Sequence, residues 1–143
     1  MVLVAKDIME KDFLLLGRET SVVEAARQMK ARKRGFAVIS SSHGTPEGIV
    51  TEWDLLSKVV AEGRDPATVK VSDIMTTNLI SVDAGVGFDQ VAQLMAQKGV
   101  RRLLVFKNDQ VLGVITASIV LARLKEYIDK VSAQIARLQS PIV

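Results

Sequence analysis

There is no cysteine in this chain. Structural disulfides, thiol catalysis and cysteine-based metal sites are therefore excluded. His43 is the sole histidine, which excludes a His-rich metal site and a two-imidazole relay. Aromatic residues make up 4% of the chain, which weakens the case for a stacking platform along single-stranded nucleic acid. No apolar run approaches the roughly 18 residues that span a bilayer. Met1 to Ala5 is too short for a signal-peptide core, so a cytoplasmic location is the default expectation. No glycine-rich phosphate loop followed by lysine occurs. Asp54 and Glu52 are neighbouring carboxylates without an acid–base partner, and no enzyme is expected.

What is present is a globular composition: 143 residues, 48% hydrophobic and 24% charged. That suits one domain, or two small halves sharing a core. The net charge of +3 suits a phosphate-bearing ligand and equally a plain soluble surface.

The chain repeats itself. Asp7-Ile8-Met9 recurs as Asp73-Ile74-Met75, an offset of 73 − 7 = 66, which also pairs Ala26 with Ala92 and Met29 with Met95. Gly48-Ile49-Val50-Thr51-Glu52-Trp53-Asp54 recurs as Gly113-Val114-Ile115-Thr116-Ala117-Ser118-Ile119, at 113 − 48 = 65. The register slips by one residue in the loop before Gly48. A duplication of this length sets the fold before any local reading. The last residue of the second motif differs between the copies: Asp54 in one, Ile119 in the other.

Each copy reads as β-α-β-β-α. Phe13 to Leu16 is a short apolar strand, and Ser21-Val22-Val23-Glu24 is a capping-box pattern that opens a helix ending at Gly35. Phe36 to Ile39 and Gly48 to Val50 are strands around a turn-forming loop with His43, Gly44 and Pro46. Thr51 starts a helix running to about Glu62. The second copy predicts strands at 79–82, 102–106 and 111–115, with helices over 86–98 and from Thr116. The strands are apolar on both faces, so two sheets packed together with helices outside is the expected α+β architecture. The boundaries are 4–62 for the first copy, 63–70 for the linker, 71–124 for the second copy and 125–143 for a helical extension. In that extended last helix, Leu121, Leu124, Ile128, Val131, Ile135, Leu138 and Ile142 alternate spacings of 3 and 4, a heptad seam that Pro141 stops. Such a seam fits a second subunit; packing on its own domain is the alternative.

The paired β-α-β-β-α units, both Asp-Ile-Met openings, Gly99-Val100-Arg101-Arg102-Leu103-Leu104-Val105 and Gly48-Ile49-Val50-Thr51-Glu52-Trp53-Asp54 together resemble the CBS-domain pair, or Bateman module. The resemblance runs from about Val4 to Leu124 and implies a stand-alone pseudo-twofold module with two candidate clefts. Members commonly regulate something else, often bind adenosine-containing ligands and tend to dimerise. It therefore implies an adenine nucleotide (AMP, ADP or ATP) as regulatory ligand, an energy-sensing role, a homodimer and an effector protein. S-adenosylmethionine is a further ligand choice.

Carried over position by position, the resemblance puts Asp54 on the ribose, since an ionised carboxylate accepts from two vicinal hydroxyls. Thr51 would stand nearby, facing ribose or phosphate. A purely local reading exists as well: Thr-x-x-Asp at a helix start is a capping box. Arg101 and Arg102 are the candidate phosphate donors from the opposite copy. Strand alternation would instead put them on opposite faces. Met75, Ile80 and Val100 are candidates for the base pocket and are equally ordinary core residues. The second cleft would pair Ile119 with Met9, Leu14 and the stretch from Arg34 to Phe36; lacking the acid, it is expected to bind nucleotide weakly or not at all. Trp53 reads as an interface or packing residue. The basic run from Lys30 to Arg34 reads as a solvated helix end complementing the dipole, in preference to a nucleic-acid patch.

Overall fold

The computed structural model describes residues 3–139. Met1, Pro141 and Ile142 lie outside the described residues, and with them the expected helix stop and the last heptad position. The first copy contains α1 (Ala5–Ile8), β1 (Leu15–Gly17), α2 (Val22–Arg32), β2 (Phe36–Ser40), β3 (Pro46–Thr51) and α3 (Glu52–Leu55). A π-helical turn, Leu56–Val60, follows α3. The second contains α4 (Val71–Ile74), β4 (Ser81–Asp83), α5 (Phe88–Lys98), β5 (Arg102–Lys107), β6 (Gln110–Thr116) and α6 (Ala117–Leu138). Among the described residues no helix is long and apolar enough to cross a membrane.

Each copy forms a three-stranded sheet, β1-β2-β3 and β4-β5-β6. The first pair in each is parallel, joined by a crossover helix, and the second is an antiparallel hairpin. Asn108 and Asp109, both at positive φ, make the tight β5–β6 turn. Strand alternation then sorts the side chains. Ala37 and Ile39 of β2 face a core under α2, while Phe36 and Val38 face the other sheet. Leu103 and Val105 of β5 face the second copy's own core, and Leu104 joins Phe36, Val38 and Val114 between the sheets. The sheet-on-sheet arrangement expected from the apolar strands is what forms.

The opening helices are exchanged. Ala5 and Ile8 of α1 are buried in the second copy's core, and Val71 and Ile74 of α4 in the first copy's. The Ala5 N–H donates to the Val86 carbonyl at 2.7 Å, and the Val71 N–H to the Thr20 carbonyl at 2.8 Å. The Asp-Ile-Met motif thereby gains a physical account. Asp7 and Asp73 accept the amide protons of Val4 and Lys70 at 2.9 and 3.1 Å, closing the helix starts. Ile8 and Ile74 are buried. Met9 and Met75 cross over Gly113 and Gly48 of the opposite copy: a Cβ on either glycine would stand 2.8 or 2.7 Å from the methionine sulfur.

Several boundaries differ from the sequence expectation. The first strands are shorter and later, Leu15–Gly17 and Ser81–Asp83, because only these residues pair along the parallel ladder. The preceding Leu14 and Ile80 keep single hydrogen bonds, accepting from Val38 and Leu104 at 2.8 and 3.0 Å. α2 ends before Gly35: Lys33 turns left-handed at φ 53° and its N–H caps the last turn. The helix after Thr51 is α-helical for one turn only and then widens into the π turn.

Candidate functional site

The asymmetry between the copies is concentrated where β3, the turn from α5 into β5 and the segment before β4 meet. Ile49, Thr51, Thr76, Asn78, Leu79, Ile80, Gly99, Val100, Arg101 and Arg102 line a cavity of about 280 Å³. A second cavity of about 390 Å³ shares Thr51, Arg101 and Arg102 and opens toward Gly35, Glu52, Trp53 and Leu56. The shared residues make these two adjoining parts of one cleft, a slot and a mouth. The slot has an aliphatic lining (Ile49, Leu79, Ile80, Val100) and a polar one (Thr51, Thr76, Asn78, Arg101, Arg102). An apolar slot with a few convergent polar groups is the usual form of a small-molecule site.

Thr51 stands between slot and mouth because β3 ends there and α3 begins. Its hydroxyl accepts the Asp54 N–H at 3.2 Å and donates to Asp54 Oδ2 at 3.1 Å, while its own N–H donates to the same oxygen at 2.9 Å. The local capping reading is therefore realised in full. The acid is nonetheless dispensable for the turn: Thr116 caps α6 through the Ile119 N–H at 3.2 Å with no carboxylate present. Asp54 is 6% exposed, and its other oxygen lies 3.1 Å from Lys58 Nζ. Lys58 also donates to the Ile74 carbonyl at 2.8 Å, tying the acid to the end of α4. Asp54 sits beneath Thr51 and does not itself line the cavity. Sequence reasoning missed Lys58, although an Asp–Lys pair four apart on a helix was visible.

Both arginines line the same cleft, because Arg101 precedes the first paired residue of β5 and strand alternation does not apply to it. Neither has a carboxylate within 4 Å among the described residues. Arg102 lies over the Phe36 ring, 4.8 Å to its centre, and its Nε is buried without a hydrogen-bond partner. Burial, then the neighbouring Arg101 charge, lowers the pKa of Arg102 from the ordinary arginine value, while Glu52 and Asp54 act the other way.

Ile80 and Val100 line the slot. Met75 does not: it packs against the first copy's core with its thioether on Gly48. Thr76 and Asn78, on the same segment, line the slot instead and were not singled out from the sequence. They are the polar counterparts of Glu10 and Asp12, and only the superposed copies reveal the substitution.

In the opposite cleft, Arg34 is taken up internally. It pairs with Glu10 and Asp12, each at 3.3 Å, and Arg32 also pairs with Asp12. Trp53 is 69% exposed beside Leu56 and Val60, and no residue of α6 is buried.

Comparison with known proteins gives two matches to the CBS-domain family model, at residues 5–61 and 71–126. Protein MK0525 of Methanopyrus kandleri is 33% identical over 116 residues; the match covers 80% of this chain and 59% of that protein. Among solved structures, a hexameric CBS-CP12 protein from bloom-forming cyanobacteria is 35% identical, with a TM-score of 0.75 over 85% of this chain and 71% of that one. The CBS-domain pair of protein MJ0100, solved with 5′-methylthioadenosine and S-adenosyl-L-methionine, is 26% identical, with a TM-score of 0.75 over 88% and 98% of the two chains.

Proposed function

This chain belongs to the CBS-domain family as a tandem pair, and we propose that it is a non-catalytic regulatory module binding one adenine nucleotide of the AMP, ADP or ATP type in the Thr51–Arg102 cleft. The observation that carries this is the arginine pair. Two guanidinium groups without carboxylate partners among the described residues, one with an orphaned buried Nε, converge on the mouth of an apolar slot. Phosphate oxygens are the acceptors that planar guanidinium forks match best.

The remaining roles follow from position. Ile80 and Val100 flank the purine, and Met75 supports that wall from behind. Asn78 and Thr76 are placed to read the base edge or a ribose oxygen. Asp54, buried beneath Thr51, takes the ribose hydroxyls once the Thr51 hydroxyl is displaced from it. The cleft is composite: Thr51 and Asp54 come from one copy, the arginines from the other. A ligand that grips both copies favours one packing of the halves, and differential affinity is all a regulatory shift requires.

A homodimeric interaction module is the second reading, favoured by Leu121, Leu124, Ile128, Ile135 and Leu138, all exposed along α6. Calorimetric titration of AMP, ADP, ATP and S-adenosylmethionine separates the two. One nucleotide bound per chain, lost in Asp54→Ala, supports the first. No binding by any of the four leaves the interaction module; preference for S-adenosylmethionine replaces the nucleotide assignment.

A further inference from the structure

We propose that Glu52 limits the number of phosphates this cleft accepts, an inference that rests on the nucleotide reading above. Glu52 follows Thr51 and lines the mouth together with Arg101 and Arg102. It also lines an adjoining cavity of about 430 Å³ together with Lys30, Lys33 and Arg34. The carboxylate thus stands between an arginine pair and a lysine pair. Without it the two would form one continuous basic track.

Its placement is particular to the first copy. The side chain lies over Gly35, where a Cβ would stand 2.6 Å from Oε1. In the second copy the arrangement is reversed: Arg101 holds the glycine's position (35 + 66 = 101) and Ala117 the glutamate's (52 + 65 = 117). Glu52 forms no ion pair within 4 Å among the described residues, and its charge acts on Arg102 only at longer range. Glu52 does not line the slot that both arginines share with Val100, so an α-phosphate bound on that side is spared its charge. Further phosphates leaving through the mouth pass it, and each meets a like charge. A monophosphate is accepted, and a triphosphate is penalised.

Glu52 also complements the amino end of α3, a role that any ligand-independent stability change would report. Ligand ratios separate the two roles. Adenosine, AMP and magnesium-free ATP are titrated into the parent, Glu52→Gln and Glu52→Ala at low salt, with melting temperatures recorded alongside. The parent should prefer AMP to ATP. Both variants should tighten ATP about fivefold, move AMP less than twofold and leave adenosine unchanged. An unchanged ATP-to-AMP ratio in folded variants, or equal weakening of all three ligands, overturns the role of Glu52 while leaving nucleotide binding intact. A parent that binds none of them overturns both readings.

Discussion

Arg102 and Phe36 hold the same position in the two copies, 36 + 66 = 102, and they touch, with the guanidinium 4.8 Å from the ring centre. Two equivalent residues can meet only beside the axis that relates their copies. The pair therefore marks the pseudo-twofold axis. It also shows how duplication was put to unequal use. One copy supplies a flat apolar ring, and the other lays a cation on it, aimed into the cleft that holds Thr51.

Arg102 is predicted to act through its fork as well as its charge. Arg102→Ala should weaken a bound nucleotide about tenfold or more, the scale of a charge-assisted hydrogen bond. Arg102→Lys should recover less than half of that loss in free energy, because an ammonium cannot bind bidentately. Stability should fall by only about 0.5–1 kcal/mol in the alanine variant, the worth of a partly exposed cation–π contact. Calorimetry and thermal melting measure the two separately.

Thr51→Ala removes the oxygen that caps α3, and about 1 kcal/mol of stability should go with it. Thr116→Ala should lose a similar amount by the same mechanism. Only the first should alter nucleotide affinity. Equal effects on affinity would mean that the clefts are equivalent after all.

Lys33 offers a gain. Its counterpart in the second copy is Gly99, and both adopt the left-handed conformation, at φ 53° and 62°. Glycine enters that region without the penalty a Cβ incurs. Lys33→Gly should raise stability by roughly 1 kcal/mol, read as a higher midpoint in urea unfolding. The chain supplies its own control, since Gly99→Lys should lower it.

The exposed seam of α6 predicts self-association. Leu121 and Leu138 are 66% and 86% exposed, and Ile128 and Ile135 lie between them on the same stripe. Cutting the chain after Leu124 should leave a folded species that sediments as a monomer where the parent sediments as a dimer. A truncated chain as dimeric as the parent would move the interface to Trp53, Leu56 and Val60.

Much of this architecture was legible in the repeat. The offsets of 66 and 65 located both hairpins and both closing helices, because hydrophobic periodicity and a Thr cap are local signals. The exchange of α1 and α4 was not legible, since which copy's core takes Ile8 or Ile74 is decided by long-range packing. Met75 illustrates the cost. Its place in the repeat put it beside the cleft, but Gly48 admits it behind the wall. Glu10 and Asp12 were readable only as charges until the fold placed them against Arg34, whereas the Asp54–Lys58 spacing was a local signal that went unread.

A crystal soaked with AMP tests the composite site most directly. The predicted result is one nucleotide per chain, in the Thr51–Arg102 cleft, with the ribose hydroxyls within hydrogen-bond distance of Asp54 and the phosphate on Arg101 or Arg102. AMP in the opposite cleft beside Ile119 and Arg34, in both clefts, or with its ribose turned away from Asp54 would contradict the account.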